Sequence, residues 1–128
     1  MITQVTQGIK ISVSTSFQES YSKPDSRYFL FSYKISIENT SEYAVKLLRR
    51  QWHIFDSSGD KREVEGEGVV GQQPILEPGE TYEYESACNL TTDMGKMKGT
   101  YLMERKLDKA RIVVNIPEFQ LITPQRLN

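Results

Sequence analysis

An all-β fold is predicted by three features of the chain: apolar and polar side chains alternate along successive short segments, turn residues separate those segments, and no long stretch keeps helical spacing with caps. The first segment has Ile9, Ile11 and Val13 alternating with Lys10, Ser12 and Ser14, the pattern of a half-buried strand. Lys23-Pro24-Asp25-Ser26 supplies turn chemistry in the loop 19–27. The clearest strand follows, with Phe29, Phe31, Tyr33, Ile35 and Ile37 on one side and Ser32, Lys34, Ser36 and Glu38 on the other. Asn39-Thr40-Ser41 ends it.

Segment 45–55 is extended, but its alternation changes phase. Val45 and Leu47 fall in one register, while Leu48, Arg50, Trp52 and Ile54 fall in the other, which predicts a β-bulge at Leu47-Leu48. Asp56-Ser57-Ser58-Gly59 turns the chain into a return strand over 61–65, and the glycine-rich stretch 66–74 is expected to be irregular. Glu77-Pro78-Gly79-Glu80 has proline and glycine at the two central positions that a type II turn favours. A strand over 81–88 then carries Tyr82 and Tyr84 inward, and 91–98 reads as a polar loop. Strands over 100–105 and 111–116 complete the set. Pro117 is confined to an edge or a strand end, and Phe119 and Leu121 continue the alternation beyond it. About seven strands joined by turns match an immunoglobulin- or fibronectin type III-like β-sandwich, with a barrel as the other closed solution. All 128 residues fit one domain, 1–128.

Composition narrows the function classes. With 38% hydrophobic and 26% charged residues the chain is ordinary for a globular protein. A net charge of −1 lacks the basic excess of a nucleic-acid binder, so no nucleic-acid partner is expected. Charge is nonetheless uneven: Glu77, Glu80, Glu83, Glu85 and Asp93 precede Lys96, Lys98, Arg105, Lys106, Lys109 and Arg111, predicting two solvated strand faces that attract each other across a sheet, with a polyanion site on the basic stretch as the weaker alternative. Cys88 is the only cysteine, so no internal disulfide forms, and it is expected to be a small packed side chain. The N-terminus lacks a signal pattern and no apolar run is long enough to span a bilayer, so a cytoplasmic location without direct membrane insertion is expected.

Two constellations stand out as candidate sites. Gly66-Glu67-Gly68-Val69-Val70-Gly71 is a literal G-x-G-x-x-G, but a dinucleotide site needs a helix after the glycines to receive the pyrophosphate. The prolines at 74 and 78 forbid that helix, no P-loop lysine follows, and Glu65 and Glu67 would repel phosphate. The glycines therefore predict positive φ or close backbone approach in a structural or partner-binding loop, with an anion-binding nest of loop amides as the weaker alternative. In Arg49-Arg50-Gln51-Trp52-His53, alternation sends Trp52 to the core and Arg49, Gln51 and His53 outward. One histidine and one cysteine do not make a zinc set, no nucleophile elbow is present, and nothing localises an acid–base pair. No catalytic residue, metal or cofactor is predicted.

The same residues carry a resemblance over nearly the whole chain. Val5-Thr6-Gln7-Gly8-Ile9, Tyr28-Phe29-Leu30-Phe31-Ser32-Tyr33 and Ile37-Glu38-Asn39 come first. Leu47-Leu48-Arg49-Arg50-Gln51-Trp52-His53-Ile54 and Gly66-Glu67-Gly68-Val69-Val70-Gly71-Gln72-Gln73-Pro74 follow. Leu76-Glu77-Pro78-Gly79-Glu80, Met97-Lys98-Gly99-Thr100-Tyr101 and Ile116-Pro117-Glu118-Phe119-Gln120-Leu121 complete a series that resembles the ApaG family. The resemblance implies a fibronectin type III-like sandwich. It also implies a protein-interaction module of the kind found in F-box proteins and in a polymerase-delta-interacting protein. The bacterial family is associated with cobalt resistance, magnesium efflux and the neighbourhood of diadenosine-tetraphosphate hydrolase. Gln51 stands where many relatives have histidine, which weakens a metal site built on that segment. The expectation is a non-enzymatic module whose partner is another protein, with Gly66, Gly68, Gly71, Gln73, Arg49 and His53 as binding residues. The alternative is a weakly bound phosphorylated small molecule, pyrophosphate or a nucleotide, or a divalent cation at the glycine loop. Oligomeric state is left open.

Overall fold

The alternating segments close on one another because each has a single apolar face to bury. In the computed structural model, which describes residues 1–127, nine strands run in chain order. They are β1 (Ile2–Thr6), β2 (Ile9–Phe17), β3 (Phe29–Asn39), β4 (Val45–Asp56), β5 (Lys61–Glu67), β6 (Ile75–Leu76), β7 (Thr81–Leu90), β8 (Met94–Arg105) and β9 (Arg111–Ile122). Asn128, the last residue of the expected 1–128 domain, lies outside the described residues. One antiparallel sheet has the order β1-β2-β3-β7, and the other has β5-β4-β8-β9 with β6 also pairing β4. Ile9, Ile11, Phe31, Ile35 and Ile37 of the first sheet and Leu47, Trp52, Met97, Tyr101 and Phe119 of the second are all buried in one cluster. Trp52 sits at its centre, 5.5 Å from the Tyr33 ring and 5.8 Å from the Phe119 ring. Among the described residues no helix is long and apolar enough to cross a membrane.

The bulge in β4 falls where the phase change predicts it: register with β8 shifts between Leu47 and Arg49. Cys88 is buried, as expected of a packed thiol. Burial raises its pKa, against the nearby Arg62 charge, which leaves it poor in thiolate.

Four expectations need correction. The strands number nine rather than about seven, because β1 and the two-residue β6 carry little apolar alternation. Segment 91–98 is not a loop throughout; β8 begins at Met94. Its inward positions are Met97 and Gly99, and a Cβ at Gly99 would stand 2.3 Å from the Gln51 carbonyl oxygen and 2.9 Å from Trp52 Cε3. The glycine that suggested a loop, Gly95, pairs with Asp56 of β4, and a Cβ there would stand 2.3 Å from the Phe55 carbonyl oxygen, so it permits close strand approach, as Gly99 seats the tryptophan. The strand expected over 111–116 runs on to Ile122 as β9; Pro117 lies within it, on an edge strand as expected, where register shifts between Met97 and Gly99 and leaves Pro117-Glu118 facing Lys98. Finally, the acidic and basic stretches do not pair across a sheet, because β7 and β8 belong to different sheets. Glu83 instead meets Lys34 at 3.4 Å, and Lys96 meets Glu118 at 3.5 Å.

Two polar side chains pin the ends of the sandwich. Asn39 is buried, and its Nδ2 donates to the carbonyls of Tyr43 (2.7 Å) and Leu76 (2.9 Å). Its Oδ1 accepts from the Ser41 N–H (2.9 Å) and hydroxyl (2.6 Å), so the amide is satisfied on both sides. At the opposite end Asp56 Oδ2 accepts from the Thr91 N–H (2.6 Å) and hydroxyl (2.8 Å), and Oδ1 accepts from Thr92 and from the Ser58 N–H. Burial pushes the Asp56 pKa up, but these donors outweigh it and lower it from 3.8 to about 2.

Candidate binding loop

β5 and β6 both pair with the β4 edge, and the glycine stretch is the excursion between them. The bulge in β4 anchors that excursion. The freed Leu48 carbonyl accepts from the Gly68 N–H (2.9 Å) and from Gln73 Nε2 (2.9 Å), while the Leu47 N–H donates to the Pro74 carbonyl at 3.0 Å. Two features far apart in sequence, the phase change and the glycine motif, are thus one structural unit.

The tip of the loop is a two-residue turn. Val69 and Gln72 exchange both backbone hydrogen bonds, at 2.7 and 2.9 Å, and the central pair Val70 and Gly71 take φ of 46° and 76°. Positive φ at both centres is what a type I′ turn requires, and a β-branched side chain there is strained. Val69 is fully buried and plugs the turn into the core, whereas Val70 is 62% exposed. Gly68 itself has φ of 62°, and a Cβ there would fall 2.0 Å from the Gln72 carbonyl oxygen, so only glycine lets the two backbones approach.

Arg50 completes the clamp. Its Nη1 donates to the carbonyls of Glu67 and Gly68, each at 3.1 Å, and its guanidinium fills the space over Gly66, where a Cβ would stand 2.7 Å from Nη1. The same charge faces a group of inward tyrosines. Burial pushes the phenols of Tyr33, Tyr84 and Tyr101 above their usual range, and Arg50 works against that shift at each. Tyr84 and Tyr101 share a hydroxyl hydrogen bond that links the two sheets.

The candidate residues divide accordingly. Gly68, Gly71 and Gln73 lie together in the loop, whereas Gly66, expected to open the irregular stretch 66–74, is still in β5, which runs to Glu67, and pairs with Arg50; Arg49 is beside the loop, opposite Glu67. His53 lies four positions along β4, roughly 13 Å from Arg49, paired with Glu63 at 3.4 Å. Arg49 lines a shallow outer depression of about 400 Å³ with Gln51, Glu65, Thr100, Leu102 and Val113. His53 lines a separate one with Lys98, Asn115 and Glu118. Sequence reasoning missed Arg50 as a loop residue; the available signal was an arginine in the inward register of a strand, where a charge needs partners. The Gly68, Val69 and Gln72 amides are committed to internal hydrogen bonds, and Glu65 and Glu67 remain exposed beside the turn. Among the described residues no three His, Cys, Asp or Glu side chains cluster as metal ligands.

Fold and loop define a β-sandwich domain that displays a clamped glycine turn, and comparison with known proteins identifies the same class. The ApaG domain model matches residues 19–105. The chain is 47% identical to Protein ApaG of Anaeromyxobacter dehalogenans over 128 residues, all of both chains. It is 40% identical to Protein ApaG of Brucella canis over 126 residues, 98% of this chain and 96% of that one. Among solved structures, the putative ApaA protein from Bordetella pertussis superposes with a TM-score of 0.88 at 38% identity, covering 91% of this chain and 94% of that one. The chain belongs to the ApaG domain family.

Proposed function

We propose that this domain is a non-enzymatic module that docks on another protein through the turn at 68–73. One observation carries the reading: Val70, an apolar β-branched residue, is 62% exposed at φ of 46° on a turn whose feet are fixed by Leu48, Arg50 and Gln73. Strained conformations persist only where the surroundings over-determine them, and such residues concentrate at binding sites. A solvated loop without a partner has no reason to keep valine where glycine or asparagine costs less. Arg49 and the Glu65 face adjoin the turn and supply a polar rim. The family's association with cobalt resistance and magnesium efflux fits a module that acts through a partner. The strand orders β2-β3-β7 and β5-β4-β8-β9 support assigning the sandwich to the fibronectin type III and immunoglobulin-like type.

Cross-linked capture followed by mass spectrometry, with wild type, Val70→Gly and a Lys10→Ala surface control, tests this. Val70→Gly is expected to fold and lose the captured partner, while the control keeps it. Equal recovery by all three folded proteins removes the turn as the docking surface.

A further inference from the structure

A sandwich of two open sheets has edge strands that could pair with other chains, and most of those here are blunted. β1 is short, with five residues. β9 carries Pro117 and a bulge. β5 is studded with Lys61, Arg62, Glu63, Glu65 and Glu67 and runs into the clamped loop. Short length, proline, bulges and charges are the devices by which natural edges avoid pairing. β7 has few of them. It is ten residues long, contains no proline, glycine or lysine, and keeps unbroken register with β3, its one strand partner among the described residues. Its free edge is engaged near one end, where the Asn89 carbonyl accepts from the Arg62 guanidinium.

Short of that contact, 81–87 presents two faces. Thr81, Glu83, Glu85 and Ala87 point outward and are exposed; Tyr82, Tyr84 and Ser86 point toward the seam between the sheets and are half-buried. Lys34 approaches Glu83 from the β3 side alone, at 3.4 Å, so the other flank of both glutamates is open to an incoming strand. Chemistry of the outward face selects the occupant. A second copy pairing antiparallel about a two-fold axis at Tyr84 would set Glu83 of each chain against Glu85 of the other, and like charges directly opposite are destabilising. A strand with lysine or arginine at alternate positions reverses that sign, and β-branched residues at the intervening positions would cover the tyrosines.

We infer that 81–87 is a β-augmentation site that accepts an extended, basic peptide segment of a partner protein as an added strand of the first sheet. This goes beyond docking at the Val70 turn and uses a different surface.

The test uses capped synthetic peptides of about seven residues, the length of the free edge. One alternates lysine with valine, one has glutamate for each lysine, and one is the lysine peptide N-methylated at alternate backbone positions. Amide hydrogen exchange is expected to slow within 81–87 with the lysine peptide at millimolar concentration, and with neither control. Glu83→Lys/Glu85→Lys should weaken that peptide by about tenfold or more. A second arm removes the like charge: Glu83→Thr/Glu85→Thr is expected to self-associate in sedimentation relative to wild type, with slowed exchange at the same amides. Val70→Gly should leave both results unchanged, which separates failure here from failure of the turn. The inference is overturned if the lysine peptide leaves exchange in 81–87 unchanged, or if the glutamate or N-methylated peptide binds as well as the lysine peptide.

Discussion

Two turns ask the same thing of the backbone and receive different residues. At 77–80 the Glu80 N–H returns to the Glu77 carbonyl at 3.0 Å, and the position that must adopt positive φ is Gly79, at 90°. At 69–72 one of the two positive-φ positions is filled by Val70. Each turn is tethered by the strand it meets, the first by the Asn39 carbonyl accepting from the Gly79 N–H at 2.7 Å, the second by the Leu48 carbonyl. The first turn obeys local preference and serves architecture. In the second, tertiary anchoring overrides local preference, and an apolar side chain is displayed as a result.

The largest expected effect tests the anchoring of the second turn. Gly68→Ala forces a Cβ to 2.0 Å from the Gln72 carbonyl oxygen at φ of 62°, so chemical denaturation should register a loss of about 3 kcal/mol or more. Asn39→Ala keeps the backbone tether of the first turn but removes the side-chain amide beside it and leaves the Tyr43 and Leu76 carbonyls without that donor, which should cost about 2–3 kcal/mol by the same measurement. A third turn, at 56–60, is held by a charge, and pH reaches it alone. The Asp56 carboxylate is depressed from 3.8 to about 2, so its stabilisation is complete above pH 4 and disappears as pH falls through about 2. The loss should be about 2 kcal/mol at most after allowance for partial exposure, and Asp56→Asn should flatten that part of the stability–pH curve. The smallest effects have opposite signs. Gly79→Ala, whose Cβ meets nothing within 4 Å, should destabilise by about 1–2 kcal/mol from backbone strain alone, whereas Val70→Gly should stabilise by a few tenths to about 1 kcal/mol. If Val70→Gly also destabilises, the contrast between the turns collapses.

Sequence patterns revealed the parts of the fold where burial and period coincide. β2 and β3 were legible because Ile9, Ile11, Phe31, Ile35 and Ile37 all face one interior, and the Leu47-Leu48 phase change located a bulge before any pairing was known. β1 was not, because its side chains are almost all exposed and period two has nothing to act on. The start of β8 was hidden for the opposite reason: Gly99 occupies an inward position, and the apolar mass that fills the space belongs to Trp52 on a neighbouring strand. Charge misled because complementarity along the chain says nothing about which sheet a strand joins. For the candidate site, the glycines announced a tight loop, but its keeper, Arg50, was seen only as a member of a strand. Its role depends on carbonyls of residues 67 and 68 that come near only after β5 pairs with β4.

Trp52 is the sole tryptophan of the chain, and its indole touches Tyr33 from one sheet and Phe119 from the other. Its emission is therefore an internal gauge of sheet separation. A blue-shifted spectrum requires both walls in contact with the ring, and red-shifted light at constant far-ultraviolet dichroism would mark a state in which the sheets have parted while each remains formed.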